Sequence, residues 1–175
     1  RGVLVSVNAA ATPADLADFA TGFALSEGLA ASAGEVTDVA IAEVEQGWVV
    51  RAALSGLGAA QLGERVRSRV AESSCGLCGI ENLEAVARPL PPVAPHEAIE
   101  HQAIFAALAA LKTGQPLSQA TGASHAAAWS DAHGAIHCLR EDVGRHNALD
   151  KLVGAMAREG RALSGGFVLS TARCS

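Results

Sequence analysis

Pro89, Pro91, Pro92 and Pro95 stand within seven residues. No helix or sheet interior runs through such a cluster, because each proline lacks a backbone N–H and its ring blocks the preceding turn. Residues 88–95 are therefore a linker or surface crossover, and regular structure must be built on either side of it. Before it, Val3, Val5 and Val7 alternate as in a strand. Thr12-Pro13-Ala14-Asp15 then opens a helix with a capping hydroxyl, a proline at the first helical position and an acid in the first turn. Leu16, Phe19 and Phe23 share its core face, and Gly28 ends it. Val36 to Val44 and Trp48 to Leu54 read as a hairpin about Glu45-Gln46-Gly47. Leu62, Val66 and Val70 predict a helix over 59–70, and a short helix is expected over 81–87.

Beyond the prolines, an amphipathic helix is expected over 97–112. Ile99, Ala103, Ala106 and Ala110 form one stripe of it, with Ile104, Leu108 and Leu111 alongside. A buried strand follows over 121–129, then a turn at Asp131-Ala132-His133-Gly134 and a returning strand over 135–139. A helix starting near Arg145 buries Leu149, Leu152, Val153 and Met156 before Gly160, and Phe167 to Ser170 is a last strand. Hairpins interspersed with long helices suggest an α/β or α+β layered domain, of which α/β is taken here: a mixed sheet flanked by helices in one domain.

With 175 residues the chain is long enough for a sizeable core. Half of the residues are apolar but only 3% are aromatic, so that core is built from Ala, Leu and Val. A formal charge of −5 argues against a non-specific nucleic-acid binder, which needs a basic face. No apolar run approaches the roughly 20 residues that span a bilayer, and no secretory leader opens the chain. Cysteines at 75, 78, 138 and 174 are too few and too unevenly spaced for a disulfide scaffold, so the cytoplasm is expected.

Two stretches carry chemistry. In Cys75-Gly76-Leu77-Cys78-Gly79 the glycines permit a tight turn and leave both sulfurs open to a reactant. The pair suits a sulfur carrier, half of a zinc site, a thiol–disulfide oxidoreductase or two inert thiols. A zinc site needs two more ligands, yet Cys138, Cys174, His125, His133, His137 and His146 include no second close pair. A redox pair belongs between a strand and a long helix, whereas this one follows a predicted helix. Taken singly, His125 reads as a core histidine, His133 and His137 as exposed, and Cys138 as inert.

The second stretch is Glu141-Asp142-Val143-Gly144-Arg145-His146-Asn147-Ala148-Leu149-Asp150-Lys151. At a helix N-terminus the free N–H groups favour an anion, Arg145 and His146 add donors, and Asp142 or Asp150 suits a base or ribose edge. A nucleotide or other phosphorylated ligand fits. So does a solvated helix start in which Glu141–Arg145 and Asn147–Lys151 pair one turn apart.

Together these stretches resemble the formate dehydrogenase accessory sulfurtransferase family, FdhD. Thr12-Pro13-Ala14-Asp15-Leu16-Ala17-Asp18-Phe19-Ala20-Thr21-Gly22-Phe23 with Ser26-Glu27-Gly28 is similar to its amino-terminal signature. Thr121-Gly122 with His125-Ala126-Ala127 is similar to the lead-in to its charged motif. The resemblance implies a cytoplasmic, homodimeric protein with a cytidine-deaminase-like fold. Such a protein takes persulfide sulfur from a cysteine desulfurase and gives it to the molybdenum (or tungsten) guanine-dinucleotide cofactor of formate dehydrogenase. It makes Cys75 the persulfide-bearing residue and Cys78 its partner. It places Asp142, Arg145, His146, Asn147, Asp150 and Lys151 on the cofactor-binding face, with no permanent cofactor or metal. The family continues past Ser170-Thr171-Ala172-Arg173-Cys174-Ser175 and has more residues before the first strand. On that pattern residues 1–175 are a single sulfurtransferase core domain without those two parts. Base-hydrolysing zinc chemistry is not expected, since no His-x-Glu follows the cysteine pair. The alternative function is a zinc-stabilised nucleotide or cofactor-binding module with structural cysteines.

Overall fold

The computed structural model describes residues 3–9, 11–45, 47–56, 92, 95 and 98–173. The predicted helices over 59–70 and 81–87, Cys75, Cys78 and Cys174 lie outside the described residues. Strands β1 (Val3–Ala9), β2 (Val36–Val44) and β3 (Gly47–Leu54) form one sheet, in the order β1-β3-β2. The expected hairpin is present, with Val44 opposite Gly47 and Val36 opposite Leu54. A bulge between Thr37 and Ala40 contains Asp38 at φ 50°, a left-handed conformation that Asp tolerates better than most residues.

Helix α1 (Leu16–Ser26) covers this sheet. Leu16, Ala20 and Val50 are buried together, as are Ala24, Leu29, Ala30 and Leu54. Gly28 follows the helix at φ 66°, as its terminator role requires. The helix start differs from expectation. Asp15, not Thr12, is the N-cap, at φ 58° and without a side-chain cap. Thr12 is drawn to a carboxylate far along the chain, so the helix begins three residues after Pro13.

The second sheet contains β4 (His125–Asp131), β5 (Ile136–Asp142) and β6 (Gly166–Ser170) in the order β5-β4-β6. All strand pairings among the described residues are antiparallel, where the sequence reading expects a mixed sheet. The β4–β5 turn uses Gly134 at φ 90°, where the position of a Cβ would lie 2.4 Å from the Ala103 carbonyl oxygen.

Successive alanines of β4 face opposite sides of this sheet. Ala127 packs with Cys138, Ala148, Leu152, Ala155 and Met156, beneath the helix Arg145–Arg158. Ala126 and Ala128 pack with Ala107, Leu111 and Leu169 beneath α2 (His101–Thr113). A short helix, α3 (Pro116–Thr121), links α2 to β4, and the helix Arg145–Arg158 is α4. The buried stripe of α2 is Ala103, Ala107 and Leu111, not the predicted Ile99-Ala103-Ala106-Ala110 row. That helix starts four residues later than read, at His101, and turns a neighbouring face to the sheet. Helix α4 likewise leaves Leu149 42% exposed and buries Ala148 in its place.

The layers run sheet, α1, α4, sheet, α2. The two central helices meet through glycine. A Cβ on Gly154 would lie 1.8 Å from the Asp18 carbonyl oxygen, so only glycine permits this approach.

Candidate functional site

Strand β5 carries the chain across the second sheet to Glu141 and Asp142, and two residues later α4 begins with Gly144 as its N-cap. The charged motif therefore spans a strand end, a tight turn and the first turns of a 14-residue helix. Arg145, His146 and Asp150 are half-buried, whereas Glu141, Asp142, Asn147 and Lys151 are buried.

Lys151 and Asp142 are both 0% exposed and form an ion pair at 2.6 Å. A buried pair of this kind persists only when its remaining donors and acceptors are satisfied. Here they are. Asp142 Oδ2 also accepts from the Thr12 amide at 2.9 Å and the Thr12 hydroxyl at 3.0 Å. Asp142 Oδ1 accepts from the Gly144 amide at 2.9 Å and from Asn147 Nδ2 at 3.1 Å. The Lys151 ammonium donates further to the Thr12 hydroxyl at 2.7 Å, the Thr12 carbonyl at 3.1 Å and the Glu141 carbonyl at 3.4 Å. Burial pushes the Asp142 carboxyl upward, but Lys151 and the Gly144 and Thr12 amides outweigh it and hold the group below its ordinary value.

Glu141 is engaged elsewhere. Its two oxygens accept from the amides of Leu117 and Ser118, each at 2.8 Å, and from the Ser124 hydroxyl at 3.1 Å. Through the two amide bonds this carboxylate caps the start of α3. Gly144 leaves room for the Asn147 side chain, whose Nδ2 would lie 2.9 Å from a Cβ at that position.

Beneath the motif, Asp18 of α1 is buried between Arg140 of β5, with Nε at 2.9 Å, and Arg158 of α4. This stitches the central helices to the second sheet. Cys138 is buried and burial pushes its thiol upward, which makes it a poor nucleophile. His137 is exposed and bonds Asp131 at 2.7 Å, and His133 is exposed beside it. Cys75 and Cys78 lie outside the described residues. Among the described residues, no group of three or more His, Cys, Asp or Glu side chains is arranged to hold a metal ion. No helix among them is long and apolar enough to cross a membrane.

Sequence reasoning reads Thr12 as a helix cap and so misses its part in this cluster. The only signal is its place in the amino-terminal signature, since nothing local links residues 130 positions apart.

The geometry gives the α4 start two layers. A buried knot of Asp142, Asn147 and Lys151, closed by the half-buried Thr12, sits below, and the half-buried side chains of Arg145, His146 and Asp150 flank it at the helix start. Such an arrangement suits an anion at the helix N-terminus with cationic donors beside it.

Comparison with known proteins places this geometry in context. A Cupriavidus necator protein named sulfur carrier protein FdhD is 48% identical over 165 residues, covering 94% of this chain and 57% of that protein. The Variovorax paradoxus protein of the same name is 46% identical over 165 residues, covering 94% of this chain and 59% of that protein. The chain thus spans under two thirds of the length of these relatives. A crystal structure from Desulfotalea psychrophila, of a candidate formate dehydrogenase accessory protein, superposes with a TM-score of 0.63 at 24% identity. It covers 93% of this chain and 58% of that one, and shows the shared fold. Residues 5–175 match the FdhD/NarQ family, and the chain belongs to that family.

Proposed function

We propose that this protein is a sulfurtransferase that accepts persulfide sulfur from a cysteine desulfurase. It would deliver the sulfur to the molybdenum (or tungsten) guanine-dinucleotide cofactor needed by formate dehydrogenase. The observation that carries this reading is the pair Cys75 and Cys78 inside a chain whose residues 5–175 match the FdhD/NarQ family. The relatives named sulfur carrier protein FdhD support it.

In this mechanism the Cys75 thiolate attacks the terminal sulfur of the desulfurase persulfide. A bond forms from Cys75 Sγ to that sulfur, the donor S–S bond breaks, and the desulfurase cysteine leaves as thiolate. Cys78 then attacks Cys75 Sγ. The terminal sulfur departs as hydrosulfide toward the metal, and the Cys75–Cys78 disulfide is reopened by a cellular thiol. The guanine-dinucleotide cofactor is the substrate here. Arg145 and His146 at the start of α4 would meet its phosphates, with Asp150 at its guanine or ribose edge. Asp142, Asn147 and Lys151 belong to the same face from within, as the buried support of that turn.

The same reading takes the protein as a cytoplasmic homodimer with cytidine-deaminase-like layering. The test is mass spectrometry after incubation with a cysteine desulfurase and free cysteine. A reducible gain of one sulfur on the peptide bearing Cys75 and Cys78 is the expected result. No gain, with about one zinc per chain found in its place, would establish structural cysteines instead.

A further inference from the structure

Resting on the cofactor-face reading above, we propose that Thr12 is a positioning residue for that face, setting the turn that presents Arg145 and His146. Thr12 precedes α1 and belongs to the lead-in from the first sheet, yet it makes four contacts with the charged motif. Its hydroxyl stands between the two members of the buried ion pair. The single hydroxyl hydrogen goes to Asp142 Oδ2 at 3.0 Å, which leaves a lone pair to accept from Lys151 Nζ at 2.7 Å.

The consequence passes through the two oxygens of one carboxylate. Thr12 and Lys151 hold Asp142 Oδ2, and the orientation so fixed aims Oδ1 at the Gly144 amide and at Asn147 Nδ2. Those two bonds define the turn from β5 into α4, directly before Arg145 and His146. Without the hydroxyl, Lys151 loses its 2.7 Å acceptor and Asp142 loses a donor, both at zero exposure. The carboxylate then reorients toward its remaining partners and the turn loosens. Coupling of this kind joins the amino-terminal signature to the charged motif by one physical link, which neither stretch discloses alone.

The test uses the full chain and guanosine diphosphate as the probe. Thr12→Val keeps the shape and removes the hydroxyl; Thr12→Ser keeps the hydroxyl. The expected result is about tenfold weaker binding for T12V in a folded protein, with T12S within about twofold of the parent. Because Thr12 acts through the residues of the turn, T12V combined with Arg145→Ala should weaken binding by less than the product of the separate effects. Equal binding by parent and folded T12V overturns the inference and leaves the cofactor face standing. Multiplicative effects in the double variant overturn it too, as does a T12V chain that does not fold, since Thr12 would then serve the fold at large. A parent that does not bind the probe overturns the cofactor face itself, and the inference with it.

Discussion

Gly22 and Gly154 sit where α1 and α4 touch backbone to backbone. A Cβ on Gly22 would lie 1.7 Å from the Asp150 carbonyl oxygen and 2.9 Å from the Gly154 amide nitrogen. That closeness brings Asp18 to Arg158 and Thr12 to Lys151, so the spacing of the two helices also sets the reach of both buried clusters.

Gly22→Ala and Gly154→Ala should therefore each cost at least about 3 kcal/mol, near the upper end for overpacking, since the obstacle is backbone that has no rotamer to change. Urea unfolding followed by circular dichroism measures this. A loss below about 1 kcal/mol would show that the helices can separate freely.

Lys151→Met should destabilise the protein by about 3–5 kcal/mol, because it leaves Asp142 charged and buried without its partner. The parent should also weaken in acid. The carboxyl of Asp142 is held below its ordinary value in the folded state, so its contribution is complete above the unfolded value of about 3.9. The contribution is lost as the pH falls from there through the folded value. Denaturation midpoints measured between neutral and acid pH should show that slope in the parent. The slope should be smaller in Asp142→Asn.

Asp131 tests the turn between β4 and β5. A hydrogen bond with His137 comes first among the causes that hold its carboxyl down to about 2, followed by the Ala135 amide. In His137→Ala the carboxyl should titrate closer to the ordinary range, followed through its carbon resonance by NMR. An unmoved titration would assign the shift to the Ala135 and His133 amides alone.

Cys75, Cys78 and Cys138 should separate cleanly by their response to replacement. Cys75→Ala should abolish sulfur loading and the activation of formate dehydrogenase. Cys78→Ala should load a sulfur that persists, since nothing displaces it as hydrosulfide. Cys138→Ser should load as the parent does, because that thiol is buried beneath α4. Mass spectrometry of the three variants reads each outcome. Loading on Cys75→Ala at the parent's level would move the acceptor to Cys78.

Local patterns sufficed for much of the architecture. The β2–β3 hairpin, the Asp131–Gly134 turn, the helix start at Arg145 and the final strand each follow from neighbours within a few residues. The motifs and their order likewise sufficed for the family, with the paired thiols at 75 and 78 and the charged run at 141–151. Tertiary structure decided which polar groups of that run go inside. Lys151 and Leu149 lie two residues apart on one helix, and the lysine is buried while the leucine is 42% exposed. A hydrophobicity pattern assigns them the other way, because it scores each side chain against water and not against a waiting partner. The partners of Lys151 are Asp142 and the Glu141 carbonyl, nine and ten residues away, and Thr12, 139 residues away. Burying an ammonium is favourable only where such groups have already converged, and that convergence is a property of the packed helices, not of any stretch of sequence.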